Sequence, residues 1–152
     1  MDITKMLTFA RNYPLRPLVP SKTFSEKEQL AGQYVLVIYY LGQLMGSIRS
    51  IQANQAALQA YCNALQAFLQ IANERKWTYK MLVDDELLAQ IEQKWASQSL
   101  NTVYLILEQQ LNKSYFENNQ AAFVHAWHIF LKFGLVDLGF TAGEIEAQYL
   151  QA

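Results

Sequence analysis

From Ser47 to Phe133 the sequence runs for 87 residues without a glycine or a proline. Turn-linked strands need such residues, whereas a stretch this long, rich in Ala, Leu and Gln, is readily built from helices. The expected fold class is all-α, a bundle of about five to six helices. With 152 residues, 52% of them hydrophobic and 16% charged, the chain can bury one packed core but is short for two full domains. Pro14, Pro17 and Pro20 fall in one region. Residues 1–24 therefore read as a short N-terminal helix and a proline-containing linker, and 25–152 as the helical-bundle domain.

Apolar spacing places the helices. Ser25 and Glu28 form an S-x-x-E capping pair, and Leu30, Tyr34, Val37, Ile38, Leu41, Met45 and Ile48 follow at helical spacing, which predicts a helix over about 26–50. The next helix divides cleanly. Leu58, Tyr61, Cys62, Leu65, Leu69 and Ala72 make an apolar stripe, opposite a stripe of amides: Gln52, Gln55, Gln59, Asn63, Gln66 and Gln70. Further helices are expected over about 84–96, 98–112 and 118–136, and Thr141 with Glu144 opens a last one, to about 150, after the stop at Gly139.

Composition removes several functions. Twelve basic against thirteen acidic residues leave a net charge of −1, which argues against nucleic acid as a partner. A single cysteine, Cys62, rules out an internal disulfide, a Cys-rich zinc site and a CxxC redox pair. Lys5, Arg11 and Arg16 are spread through the start instead of preceding an apolar run, so a cytoplasmic location is expected. Leu30–Ile48 is nineteen residues without a charge, near the length of a membrane span, but Gln33, Gln43 and three glycines interrupt it. It reads as a buried helix, and no membrane partner is expected.

No Ser-His-Asp order, Walker loop, G-x-G-x-x-G or H-E-x-x-H occurs. His125 and His128 share a helix face but are too few to hold a metal alone. Asp84, Asp85 and Glu86 sit where a helix begins, and negative charge is favoured there. Cys62 lies on an apolar stripe and reads as a core residue.

The run Ala126-Trp127-His128-Ile129-Phe130-Leu131-Lys132-Phe133-Gly134, followed by Leu138-Gly139-Phe140-Thr141 and Glu144-Ile145-Glu146-Ala147-Gln148-Tyr149, resembles the closing segment of the all-α, dimeric-type dUTPases. Those enzymes are relatives of the MazG nucleoside-triphosphate pyrophosphohydrolases. Family members continue past that tyrosine into a Lys-Asn tail, and the sequence here runs to Ala152. The resemblance implies Mg²⁺ held against a triphosphate by carboxylates of two helices, E-L-G-E-L-x-x-E and E-x-x-D. Acids three and four apart share a helix face, and a hard cation takes anionic oxygen ligands.

In this sequence the first motif finds its counterpart at Tyr40-Leu41-Gly42-Gln43-Leu44-Met45-Gly46-Ser47 with Arg49 after it, and the second at Gln98-Ser99-Leu100-Asn101. Every acid is replaced. A second register puts the first motif's end at Ile71-Ala72-Asn73-Glu74-Arg75, where Ala67 and Gln70 replace two acids and Glu74 survives. The first register fits the family's short N-terminal lead better and is preferred. Either way, no Asp or Glu occurs from Gln29 to Asn73.

The expectation is a catalytically degenerate member of that family, a binding or regulatory module with no cofactor. Tyr40, Gln43, Ser47, Arg49, Gln98, Asn101 and Glu108 would line its vestigial pocket, which suits a nucleoside or nucleotide. A homodimer is expected, joined through the amide stripe or an aromatic face around Trp127 and Phe130. One alternative is an active Mg²⁺-dependent pyrophosphohydrolase using Glu74, Asp84, Asp85, Glu86 or Glu108 as displaced ligands. Another is an unrelated helical interaction module.

Overall fold

The computed structural model describes residues 1–20, 22, 25–48 and 55–151. Arg49 of the expected pocket and Gln52 of the amide stripe lie outside them. The described residues form seven α-helices: α1 (Ile3–Asn12), α2 (Glu26–Ser47), α3 (Gln55–Arg75), α4 (Asp85–Glu92), α5 (Leu100–Glu117), α6 (Gln120–Lys132) and α7 (Ala142–Tyr149). A 3₁₀ turn at Thr78–Lys80 follows α3, and a π-helical turn at Phe133–Asp137 extends α6. No strand occurs among the described residues. The chain is the all-α bundle that its spacing predicts.

Short polar side chains set where the helices start, because the first turn leaves backbone N–H groups without partners. Asp2 accepts from the Lys5 N–H at 3.0 Å, Ser25 from Glu28 at 3.2 Å and Asp84 from Leu87 at 2.8 Å. Ser99 and Asn119 do the same for Thr102 and Ala122. Thr141 and Glu144 make both halves of a capping box. Asn118 turns the chain between α5 and α6 with a left-handed φ of 49°, a conformation Asn tolerates better than most residues.

Helix α3 is the centre of the bundle, contacting α1, α2 and α7. Its Phe68 meets the rings of Phe123, Trp127 and Phe130 at 5.7, 5.7 and 4.7 Å, and Tyr61 stacks on Phe130 at 4.3 Å. Tyr61 donates its hydroxyl to the Phe130 carbonyl at 2.8 Å, and Trp127 its indole N–H to Met81 at 3.2 Å. Trp127 and Phe130 are fully buried within the chain. The aromatic face expected to meet a second subunit is therefore the chain's own core. Helix α1 shares that core through Ile3, Met6, Leu7 and Ala10, and Tyr149 donates to the Met6 carbonyl at 2.9 Å.

Helix α2 runs antiparallel to α5. Tyr34 and Ser114 are hydroxyl-bonded at 2.6 Å near one end, and Tyr104 lies beside Gly42 toward the other. A clip absent from the sequence reading holds the loop before α5: the buried Asp137 carboxylate accepts from the Ser97 N–H and hydroxyl at 2.7 and 2.8 Å and pairs with Lys132 at 3.6 Å. No single helix among the described residues is long and apolar enough to cross a membrane. Helix α6 with its π turn and α7 pass that test only as a pair bent by 112°, and Phe123, Trp127, Phe130 and Ile145 of that pair are buried in the core.

Candidate functional site

The polar stripe of α3 is hydrogen-bonded within the chain at both ends, with Gln55 and Gln59 exposed and Gln70 buried. Gln66 donates to the Tyr13 carbonyl, Gln70 Oε1 accepts from the Leu15 N–H at 2.8 Å, and Asn73 donates to the Leu7 carbonyl at 3.1 Å while accepting from Arg11 at 3.3 Å. Nearer the N-terminal end of α3, Gln55 and Gln59 bond to Gln148 of α7 at 2.7 and 2.6 Å. The stripe expected as a dimer face thus docks the chain's own ends. The physical reason is chemical fit: an extended segment with three prolines has backbone groups without ladder partners, and a carboxamide offers both a donor and an acceptor.

Tethered at these points, the proline segment bridges a cavity of about 470 Å³. Pro14, Leu15, Pro17 and Val19 wall it on one side, Gly32, Gln33 and Leu36 of α2 on the other, with Ser25, the exposed Glu28, Gln29 and Gln70 of α3 completing the lining. A smaller cavity of about 250 Å³ shares Gln33 and Gln70 and continues past Asn73 to Glu74. A cleft of about 650 Å³ then opens at the end of α3 between Glu26, Lys27, Glu74 and Trp77. There the Arg75 guanidinium lies over Trp77 at 4.8 Å and Tyr34 at 5.4 Å and donates to the Asn118 side chain. Two buried polar atoms have no partner among the described residues: Gln33 Oε1 and Arg75 Nε.

The first-register residues lie elsewhere. The antiparallel pairing runs residues 40–47 of α2 alongside 100–107 of α5, so the two motif counterparts are neighbours. Gln43, Gln98 and Asn101 are nevertheless exposed, and neither the cavities nor the cleft just described is lined by them. Gln43 donates to the Tyr39 hydroxyl at 2.6 Å, and Ser47 to the Leu44 carbonyl at 2.8 Å. Burial, aided by Tyr39, raises the hydroxyl pKa of the half-buried Tyr40. Burial and a hydrogen bond with Glu108 push Tyr104 up to about 12. The second register fares differently: Ala67 and Gln70 are buried, and Gln70, Asn73 and Glu74 reach the cavities.

The acidic alternatives are scattered. Glu74 ends α3, Asp84 caps α4, Asp85 and Glu86 are exposed in its first turn, and Glu108 lies midway along α5. Among the described residues no three His, Cys, Asp or Glu side chains come together as a metal site. His125 is exposed and His128 half-buried; burial, then Lys94 and His125, lower the His128 pKa. Cys62 is buried, its thiol pushed up to about 12 by desolvation and aimed at the Ile145 carbonyl.

Gln33, Gly32 and Leu15 are the residues that sequence reasoning did not place in a site. The available signal was Gln33 itself, a polar residue inside an apolar, charge-free run. No protein-family model, curated protein or solved structure matches this chain.

Proposed function

We propose that this protein is a catalytically degenerate relative of the all-α dUTPase and MazG-like pyrophosphohydrolases, serving as a binding or regulatory module instead of a hydrolase. The observation that carries the reading is Gln70. It stands, in the second register, where the family has a metal-holding carboxylate, and its Oε1 is committed to the Leu15 N–H inside a groove that Gln29 and Gln33 also line. A neutral amide binds Mg²⁺ far more weakly than a carboxylate, because the ion's dehydration has to be offset by charge. Gln98 and Asn101 give the same chemistry in the first register. A nucleoside or nucleotide is the ligand the resemblance implies.

The test is pyrophosphate release from dUTP, dCTP and other triphosphates with Mg²⁺ or Mn²⁺. The expected result is none above background. Metal-dependent turnover that disappears when Glu74, Asp84, Asp85, Glu86 or Glu108 becomes alanine would favour the active enzyme instead. The homodimer belongs to the same proposal. With the amide stripe bonded to the chain's own ends and Trp127 and Phe130 buried, the face we assign to it is on α2 and α5, where Val35, Tyr39, Leu105 and Phe116 are exposed. Light scattering over a concentration series that reports only monomer rejects it.

A further inference from the structure

The cavity beneath the proline segment has two features that point to a ligand. Much of its wall is apolar, with Pro14, Pro17 and Val19 facing Leu36 and with Ser25 and Gln29 among its polar residues, across about 470 Å³, a volume inside the usual range of ligand sites. Gln33, which lines it, carries a buried Oε1 with no donor among the described residues. The neighbouring Gln70 does not share that defect, since its Oε1 accepts from Leu15. Native interiors leave few buried acceptors unpaired, and each one calls for a donor from somewhere. The space is real as well: a Cβ built on Gly32 would find no atom within 4 Å. Glu28 is the one charged side chain in the described lining, so an anion would be repelled.

We propose that this cavity binds a small, uncharged, largely apolar molecule bearing one N–H or O–H, which Gln33 Oε1 accepts. A purely apolar occupant would leave Gln33 unsatisfied, and an anion would face Glu28 with no cation in the lining. The proline segment and α2 supply shape, and Gln33 supplies the polar recognition. This inference rests on the binding-module reading, with a largely apolar ligand in place of the nucleotide that the resemblance implies, yet the two fail separately. Metal-dependent pyrophosphate release would sink the catalytic degeneracy and leave the cavity, while absence of the binding described next would sink the cavity and leave the degeneracy.

Indole is the probe, and benzofuran the isostere that lacks the N–H. Calorimetry on the full chain should show saturable one-site binding of indole, with benzofuran weaker by about tenfold, the worth of one hydrogen bond. Gln33→Met should lower indole to the benzofuran level and leave benzofuran unchanged. Gly32→Phe should abolish both while circular dichroism still reports the folded bundle. In the wild-type protein, intermolecular NOEs from indole to the methyls of Leu15, Val19 and Leu36 fix the site, and they carry the test should Gly32→Phe fail to fold. Absent saturable binding, NOEs to another part of the molecule, or equal affinity for indole and benzofuran each overturn the proposal.

Discussion

Two sides of α3 meet their neighbours in opposite ways. Toward α6, Tyr61 and Phe68 interlock with Phe123, Trp127 and Phe130, and the packing is so close that the Tyr61 ring occupies the place where residue 134 would carry a Cβ. Toward the N-terminal segment, Gln66, Gln70 and Asn73 reach out as single tethers and leave about 470 and 250 Å³ between them. Rings fill volume, whereas a carboxamide fixes one backbone group at one point. A segment with three prolines also cannot coil down to close the gaps, since each proline lacks an N–H and has a fixed φ. The side held by hydrogen bonds is therefore the hollow one, and hollow space is where a ligand can sit.

One substitution made on both sides breaks or sharpens this contrast most directly. Gly134→Ala drives a methyl into the Tyr61 ring, which is fully buried and tied to the Phe130 carbonyl at 2.8 Å. Overpacking of this kind costs about 1–3 kcal/mol or more, which in a chain of this size lowers Tm by roughly 3–10 °C. Gly32→Ala meets no atom within 4 Å and removes a helix-interior glycine, so it should stabilise by about 0.5–1 kcal/mol. Thermal melts that move in the same direction for both variants would erase the distinction.

Next in size is Gln70→Ala. It removes the acceptor for the Leu15 N–H and should cost about 1–2 kcal/mol. The signature is local: faster hydrogen exchange and proteolysis over residues 13–20, with amide protection of α6 unchanged. Equal loss of protection in both places would show that the segment is part of one indivisible core.

The contrast also explains what the sequence reveals. Periodicity and caps locate the helices closely: the predicted 26–50 is Glu26–Ser47, and the Thr141–Glu144 box opens α7 as read. These signals are local, carried by residues three or four apart. The tethers are not local. Gln66 to Tyr13, Gln70 to Leu15 and Asn73 to Leu7 span 53, 55 and 66 residues, so the same amide stripe reads from sequence as a solvent or subunit face. The Ser97–Asp137 clip, 40 residues apart, is hidden for the same reason. As for the site, Gln33 is visible as an anomaly in an apolar run. That its oxygen is left without a donor depends on where the proline segment lands, which no spacing encodes.

A smaller effect comes from Cys62, which is buried against α7 at the wall of a further cavity of about 290 Å³ shared with Tyr13 and Gln66. Burial pushes its thiol up to about 12, so the folded chain holds it protonated while the unfolded chain ionises from roughly pH 8.5. Stability contributed by this group is intact below that unfolded value and is lost as pH rises toward the folded one. Between about pH 8.5 and 9 Cys62 sets most of the slope, because Tyr34, Tyr40, Tyr61, Tyr104 and Tyr149, whose pKa values are also raised, matter mainly nearer the ordinary tyrosine value. Cys62→Ala should flatten the stability profile in that window, and iodoacetamide at pH 8 should leave the folded thiol unmodified. Rapid alkylation would mean that α7 and the N-terminal segment open readily enough to admit the reagent.

The smallest expected effect lies at the outer edge of the packed side, at His128. Its pKa is lowered first by burial, then by Lys94 and His125, so protonation is harder in the folded chain than in the unfolded one, where the value is about 6.5. Between the two values the unfolded state binds more protons. Stability is therefore full above the unfolded value, falls as pH drops through it, and stops falling once the folded value is passed. Denaturant titrations should show a shallow loss from pH 7 toward 5 that His128→Gln removes. Lys94→Gln, which takes away a neighbouring charge and leaves the burial untouched, should shrink the slope without abolishing it. In a proton NMR titration the His128 Cε1–H should turn over below 6.5. A midpoint at or above that value would mean that water reaches this ring freely, and that the close packing on the Phe123–Trp127–Phe130 face of α6 does not extend round to His128.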